Sequence, residues 1–173
     1  MYNAFTIIVL LYRRFNLNDT WFQYGRKQGL HYESLPKLVA PEISLGGNFS
    51  YDKNGQYYST TKIYGYIKRT NCPLSYEFLL ALLNSSLFWF FIKNTGYVLR
   101  GGYFTFKTNY ITPFPIPAYH DIDSADMKMV ESLVSKILSK RKVYNACDIS
   151  EEMKQIDIII CKIYNIDSND VIY

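Results

Sequence analysis

The sequence predicts an α+β fold, in which a mixed, mostly antiparallel sheet with a buried helix is followed by a C-terminal helical hairpin. Three observations lead to this prediction. Runs rich in β-branched and aromatic residues, separated by Gly, Pro and Asn, recur up to about residue 107. An uncharged stretch of fifteen residues spans 78–92. Two stretches after residue 123 carry apolar residues at helical spacing.

The earliest predicted strands are short apolar runs. Residues 5–12 are apolar and rich in β-branched side chains, which favours a buried strand, whereas residues 21–30 have a mixed pattern with no clear period. Residues 38–43 also have the composition of a strand. Because proline has no backbone N–H to donate, Pro41 is expected at a sheet edge or at a bulge.

An Asn-Gly pair predicts a β-hairpin in the middle of the strand region. Asn54 and Gly55 lie between the aromatic and hydroxyl-rich runs 48–51 and 56–60. Both residue types tolerate the left-handed backbone that tight hairpin turns require. In residues 62–68, Ile and Gly occupy one parity and Tyr the other, which predicts the next strand.

One buried helix is predicted from Ser75, a plausible N-cap, to about residue 96. Its apolar residues follow at helical spacing, and Gly96 supplies a C-terminal stop. The fifteen uncharged residues would rise roughly 22 Å as a helix, which is shorter than the ~30 Å hydrocarbon core of a bilayer. The sequence therefore predicts a helix in a protein core and no membrane partner.

A short strand and a linker are predicted next. Residues 101–107 form a strand opened by a glycine pair, and three prolines make the linker 112–122 extended. Asp123 or Ser124 then caps an amphipathic helix, and a second amphipathic helix follows Ser150. With about six residues between them, the two helices are predicted to pack as an antiparallel hairpin.

Aromatic residues and charge divide the chain at one place. Of the 30 aromatic side chains, 27 precede residue 121. Residues 1–120 carry 12 Lys and Arg against 5 Asp and Glu, whereas the remainder carries 7 against 10. This asymmetry predicts an atypical N-terminal segment 1–20, a basic module 21–117 and a two-helix segment 118–173. Basic surfaces with interleaved aromatic residues are typical of nucleic-acid binding.

The sequence offers no catalytic motif. It contains no glycine-rich phosphate or dinucleotide loop, no Gly-x-Ser-x-Gly and no His-Glu-x-x-His. His31 and His120 stand alone, and the three cysteines form no Cys-x-x-Cys pair, so no metal site is predicted. No secretory signal pattern is found, and we expect reduced thiols in a cytoplasmic protein. The chain is predicted not to be an enzyme by itself.

Candidate binding residues combine positive charge with neighbouring rings or glycines. Arg26, Lys27 and Gln28 follow a ring-rich stretch and could pair with guanine or adenine, hold phosphate, or form a solvated turn. Arg100 precedes a glycine pair that allows close approach of a ligand, or that makes a plain tight turn. Lys107 and its neighbours could bind phosphate or end an exposed strand.

Six segments in a fixed order resemble a known family. The chain resembles the TaqI-like C-terminal specificity (target recognition) domain of adenine-N6 DNA methyltransferases and fused restriction-modification enzymes. The resemblance covers about residues 20–170, and the closing stretch from Ile156 to Ile166 is similar to the short helix that ends such proteins. The segments that carry it are 21–28, 36–44, 48–52, 79–87, 100–107 and 113–117.

The resemblance implies partners and a division of labour. In that family a methyltransferase domain binds S-adenosylmethionine and flips the target adenine, while the C-terminal domain grips the duplex and reads its sequence. This chain has neither a cofactor glycine motif nor an Asn-Pro-Pro-Tyr or Asp-Pro-Pro-Tyr tetrapeptide. We therefore expect no cofactor here, with S-adenosylmethionine held by a missing or partner methyltransferase domain. A separate specificity subunit, a truncated gene product and an excised domain all remain open.

The resemblance and the charge pattern together predict contacts with double-stranded DNA on loops. Phosphate contacts would set affinity and a few base contacts would set specificity. Two other functions remain open: a non-catalytic protein-interaction domain derived from that family, and a single-strand binder that stacks bases on rings. The residues expected to contact DNA are Arg26, Lys27, Gln28, Asn48, Lys62, Arg100, Lys107 and Asn109.

Overall fold

The computed structural model describes residues 5–8 and 30–171, and the described strands form two antiparallel sheets. The larger sheet has the order β1-β5-β2-β4, and the smaller one pairs β3 with β6. The strands are β1 (Phe5–Ile8), β2 (Lys37–Pro41), β3 (Ile43–Ser44), β4 (Ser50–Asp52), β5 (Ile63–Lys68) and β6 (Phe104–Thr105).

The two sheets are joined at Glu42, the residue between β2 and β3. Its N–H donates to the carbonyl of Lys62 in front of β5, and its own carbonyl accepts from Phe106 N after β6. Pro41 lies at the end of β2, beyond Val39, the last residue that pairs with β4. The missing proline N–H therefore falls where β2 has one neighbouring strand instead of two, in keeping with the predicted edge or bulge.

Helices pack against the larger sheet and follow it in the chain. Short 3-10 turns occur at Leu30–Tyr32, Tyr119–Asp121 and Ser168–Asp170. Among the described residues, the α-helices are α1 (Tyr76–Asn84), α2 (Ser86–Thr95), α3 (Thr108–Ile111), α4 (Ser124–Val143) and α5 (Ser150–Ile163).

The single helix predicted from Ser75 to residue 96 is wrong, because α1 and α2 are two helices bent by 55° at Ser85. Ser75 does cap α1, and Ser85 caps α2 by accepting from Phe88 N. The Ser85 hydroxyl also donates to the last turn of α1 at Leu82 O. Buried hydroxyls that satisfy backbone groups on both sides of the break stabilise it.

The predicted hairpin around Asn54-Gly55 is also wrong. β4 pairs with β2, and residues 56–60 form no strand. The reason is that side-chain carboxylates take the N–H groups that a second strand would use. Asp52 accepts from Gln56 N and Tyr57 N, each at 2.9 Å, and Glu33 accepts from Ser59 N at 2.9 Å.

One other predicted strand is shorter than expected, and another is described only in part. The predicted strand 101–107 is reduced to β6, because Gly101 and Gly102 form a turn and Lys107 begins the short helix α3. The predicted strand 5–12 is confirmed over β1, and its remaining residues lie outside the described ranges.

A continuous core of aromatic rings lies between the sheet and the helices. Phe88 contacts Phe49 at a centroid distance of 5.7 Å, Phe106 at 6.0 Å and Phe114 at 5.1 Å, mostly edge to face. All four rings are buried. Edge-to-face contacts of this kind stabilise a core beyond the area they bury. Much of the aromatic content of the sequence therefore serves packing.

The C-terminal helices α4 and α5 form the predicted antiparallel hairpin. Lys162 pairs with Asp126 at 2.8 Å at one end, and Lys140 pairs with Glu152 at 2.6 Å toward the other. The hairpin packs on α1 and α2, where Ser86 N and Oγ donate to the Asp157 carboxylate at 2.8 and 2.7 Å. These contacts connect the hairpin to the sheet module through a shared core.

No single helix within the described ranges is long and apolar enough to cross a membrane. Among the helices described, only α1 and α2 taken together reach such a length and composition, and they are bent at their junction.

Candidate nucleic-acid interface

Five of the eight predicted contact residues lie in the described part of the chain. These are Asn48, Lys62, Arg100, Lys107 and Asn109, and all five are exposed. The other three, Arg26, Lys27 and Gln28, lie outside the described residues.

Lys62 and Lys107 are brought together by Glu42. The Lys62 Nζ lies 2.9 Å from Glu42 Oε2, and the Lys107 Nζ lies 3.9 Å from Glu42 Oε1. The hydrogen bond from Lys62 holds the pKa of the Glu42 carboxyl below its usual value; burial opposes this shift, and both lysine charges add to it. Both lysine side chains are more than half exposed, so their remaining donors face solvent.

Glu42 also accepts a hydrogen bond from the hydroxyl of Tyr64, which is buried. Burial raises the pKa of Tyr64, and the charge and hydrogen bond of Glu42 raise it further. Tyr64 therefore stays protonated and donates to the carboxylate. The arrangement holds Glu42 in place between the two sheets, with a lysine on each side of it.

Asn48 lies in the turn after β3 and shapes that turn. Its backbone is left-handed, with φ of 49°, a conformation that asparagine tolerates better than most residues. Its Nδ2 donates to Ser44 Oγ at 2.6 Å and to Leu45 O at 3.3 Å. Because the amide nitrogen is occupied within the turn, Oδ1 is the group left to face a ligand.

Arg100 sits at the tip of a tight turn beside the small sheet. Gly101 and Gly102 have φ of 86° and 79°, and Gly102 N donates to Leu99 O at 3.2 Å. Only glycine adopts this left-handed pair without strain. The turn closes a short ladder that leads into β6, so the exposed Arg100 and the Asn48 turn both extend from the β3–β6 sheet.

Asn109 lies on α3, just after Lys107. The helix spans four residues, and Lys107 occupies its N-cap position without a side-chain hydrogen bond. Asn109 therefore lies two residues after Lys107, which is the residue that pairs with Glu42. The structure thus places Lys62, Lys107 and Asn109 near the junction of the sheets, and Asn48 and Arg100 on turns of the small sheet.

A family model matches residues 12–116 and is described as a TaqI-like C-terminal specificity domain. The match covers more than half of the 173 residues and spans all eight predicted contact residues.

The chain belongs to the TaqI-like C-terminal specificity domain family.

The resemblance predicted from the sequence is thereby confirmed up to residue 116, whereas the predicted similarity of the stretch from Ile156 to Ile166 stays a prediction. No curated protein matches the chain. The match ends at Ile116, so the hairpin of α4 and α5 lies outside the region that defines this specificity domain.

In the described part of the specificity domain, one exposed loop was missed by sequence reasoning. Residues 53–61, here called the anchored loop, carry Tyr57 and Tyr58, whose exposed fractions are 67% and 68%. Burial acts to raise the pKa of the Asp52 carboxyl at the start of the loop, but hydrogen bonds from Tyr57 N, Gln56 N and Lys37 outweigh it and lower that pKa. The signal available in the sequence was the pair of tyrosines after Asn-Gly, which was assigned to a strand.

A cleft of about 970 Å³ separates the small sheet of the specificity domain from the hairpin. Ile43 and Tyr103 line one side, and Arg141 and Met153 line the other. The Arg141 guanidinium donates to the Asn145 carbonyl within its own segment. The cleft therefore offers a mostly apolar surface with a basic rim.

Proposed function

We propose that this chain is a double-stranded DNA sequence-recognition domain of a restriction-modification adenine methyltransferase, acting in the cytoplasm. Membership of the TaqI-like specificity family carries this proposal, because the family match includes every predicted contact residue. Catalysis and S-adenosylmethionine binding would be supplied by a methyltransferase or restriction domain or subunit outside these residues.

The distribution of charge supports the proposal. Lys62, Arg100 and Lys107 are exposed cations on turns and strand ends. Such cations contact phosphates, and these contacts set affinity and its dependence on salt. Asn48 and Asn109 add short amide side chains, which can contact bases or backbone.

The test is fluorescence anisotropy of the full chain with a randomised duplex pool at two salt concentrations, followed by sequencing of the retained DNA. We expect salt-sensitive binding and enrichment of a short sequence. Lys107→Gln should weaken binding to every duplex and reduce the salt dependence by about one unit of slope. Lys128→Gln on α4, far from these residues along the chain and also exposed, is the matched control and should bind like wild type.

The second candidate function is a protein-interaction domain without DNA binding. The cleft favours it, because the exposed apolar side chains of Ile43, Leu45 and Tyr103 line that cleft. Exposed apolar patches mark interaction surfaces. Absence of salt-sensitive binding at low salt would support this candidate and contradict the first.

A further inference from the structure

The anchored loop is attached to a buried cluster of three charged residues. Glu33, Lys37 and Asp52 are 1%, 0% and 4% exposed. The Lys37 Nζ lies 2.9 Å from Asp52 Oδ2 and 3.9 Å from Glu33 Oε2, and it donates to the Glu33 carbonyl at 2.5 Å. Lys37 therefore connects the carboxylate directly before the loop with a carboxylate from the turn before β2.

Each carboxylate in turn holds backbone of the anchored loop. Asp52 accepts the N–H groups of Gln56 and Tyr57, and Glu33 accepts N–H and Oγ of Ser59. Three amides of the loop are therefore bound to charged groups, on both sides of Tyr58.

Stability alone does not account for such a cluster. The cost of removing charges from water is similar to what a buried ion pair returns, and apolar residues of the same volume often stabilise a fold equally well. The charged cluster adds hydrogen bonds of defined geometry, because its carboxylate oxygens bind the loop N–H groups in one arrangement. The cluster thus holds the anchored loop in one conformation before any ligand binds.

That conformation presents two tyrosines to solvent. Tyr57 and Tyr58 are about two-thirds exposed, and the exposed cations Lys53 and Lys62 lie at the two ends of the loop. Tyrosine offers a rigid ring and a hydroxyl at a low entropic cost, and a loop ordered in advance loses less freedom on binding. Flanking lysines would hold phosphates while the rings reach sugars and base edges.

We propose that Tyr57 and Tyr58 are specificity-determining residues for duplex DNA, and that Lys37 is the positioning residue for the loop that carries them. The inference rests on the proposed function and extends it to a loop with no predicted contact residue inside it.

The first test compares Y57A/Y58A with Y144A, an exposed tyrosine at the end of α4. Binding is measured by anisotropy with the duplex that wild type enriches and with the randomised pool. We expect Y57A/Y58A to bind the enriched duplex about tenfold more weakly. Its sequence preference should relax while its salt dependence stays unchanged, because no phosphate contact is lost. Y144A should behave as wild type.

The second test separates positioning from folding. Lys37→Met should speed hydrogen exchange at the amides of Gln56, Tyr57 and Ser59, and should weaken binding about as much as Y57A/Y58A. In the Y57A/Y58A background it should cause no further loss, because it acts through the two rings. Asp52→Asn, which keeps the side-chain volume, serves as the second variant if Lys37→Met fails to fold.

The outcomes distinguish the two proposals. If wild type shows no salt-sensitive binding, the proposed function fails and this inference fails with it. If wild type binds but Y57A/Y58A keeps the same affinity and preference, only the inference is overturned. Further loss on adding Lys37→Met to Y57A/Y58A, with exchange of the three loop amides unchanged, would overturn the positioning role.

Discussion

At the residue scale, Glu42 controls how two candidate phosphate ligands are presented. It lies where the two sheets join and pairs with both Lys62 and Lys107. A carboxylate in this position would lie near phosphates in a complex, where its charge is unfavourable. In the unbound chain, Glu42 keeps the two lysines close together, and its negative charge offsets part of their positive charge.

We therefore expect Glu42→Gln to tighten duplex binding about two- to fivefold, which corresponds to the free energy of an exposed ion pair. The salt dependence should become steeper, because the lysines then release more counterions from DNA. Anisotropy titrations at several salt concentrations measure both. Glu151→Gln, exposed on α5, is the control. Weaker binding by Glu42→Gln would show that the carboxylate contributes to the contact surface.

A matched pair of substitutions separates contact from core. Arg100→Ala should weaken duplex binding while changing the free energy of unfolding by less than about 0.5 kcal/mol, because the side chain is exposed in a turn. Leu82→Ala, in a fully buried position of α1, should cost ~2–5 kcal/mol through lost burial and a cavity. Denaturant unfolding and anisotropy on both variants provide the check. Normal DNA binding with early unfolding of Arg100→Ala would reverse the assignment.

At the scale of elements, the hairpin of α4 and α5 is held by ion pairs as well as by apolar contacts. Glu152 is buried on α5 and accepts from Lys136 at 2.8 Å and from Lys140 at 2.6 Å, both on α4. Hydrogen bonds from these two lysines lower the pKa of the Glu152 carboxyl to about 2 from an unfolded value near 4.5.

This shift predicts how the hairpin responds to acid. Because the folded chain binds the proton more weakly than the unfolded chain, the stabilisation is complete above pH 4.5 and is lost as pH falls toward 2. At neutral pH, wild type should therefore have a higher Tm than Glu152→Gln. The difference in Tm should shrink as the pH falls from 4.5 toward 2. Thermal melts at several pH values, with Glu151→Gln alongside, measure this. A difference that stays constant with pH would contradict the assignment.

In the molecule as a whole, the hairpin of α4 and α5 is in contact with the part of the chain that precedes it. Ser75 Oγ donates to Glu131 on α4 at 2.6 Å, and Ser86 donates to Asp157 on α5. Phe114 contacts Tyr164 at a centroid distance of 5.9 Å, which links the proline-rich segment to the end of α5. Buried apolar residues of α4 and α5 belong to the same cluster as those of α1 and α2.

We expect the described part of the chain to unfold in one cooperative transition. Far-UV circular dichroism reports largely on the long helices α4 and α5, whereas both tryptophans, Trp21 and Trp89, precede the hairpin. Circular dichroism and tryptophan fluorescence should therefore give the same unfolding midpoint in denaturant. An earlier loss of dichroism would show that the predicted two-helix segment 118–173 is a separate folding unit.

Sequence periodicity was sufficient for elements whose pattern can be recognised from neighbouring residues. The hairpin of α4 and α5, the strand β5 and the cap at Ser75 were all predicted, because amphipathic spacing and capping signals depend on neighbouring residues. The family could also be predicted from the sequence, because several segments in a fixed order are specific for a family even where each segment alone is a weak signal.

Contacts between distant residues contributed to the break at Ser85 and to the loss of the Asn-Gly hairpin, and such contacts alone grouped Lys62 with Lys107. Beside the break, Ser86 N donates to the distant Asp157, while Ser85 bonds α1 and caps α2 locally. In the loop, the distant Glu33 accepts from Ser59 N, while the nearer Asp52 accepts from two amides. Glu42 joins the two lysines, and it is distant from both. A periodic pattern predicts which face of an element a residue lies on. It does not predict which distant carboxylate will bind the N–H group or the charged side chain of that residue. The sequence thus determined the family, the hairpin of α4 and α5, the strand β5 and the cap at Ser75, while contacts between distant polar groups shaped the candidate surface.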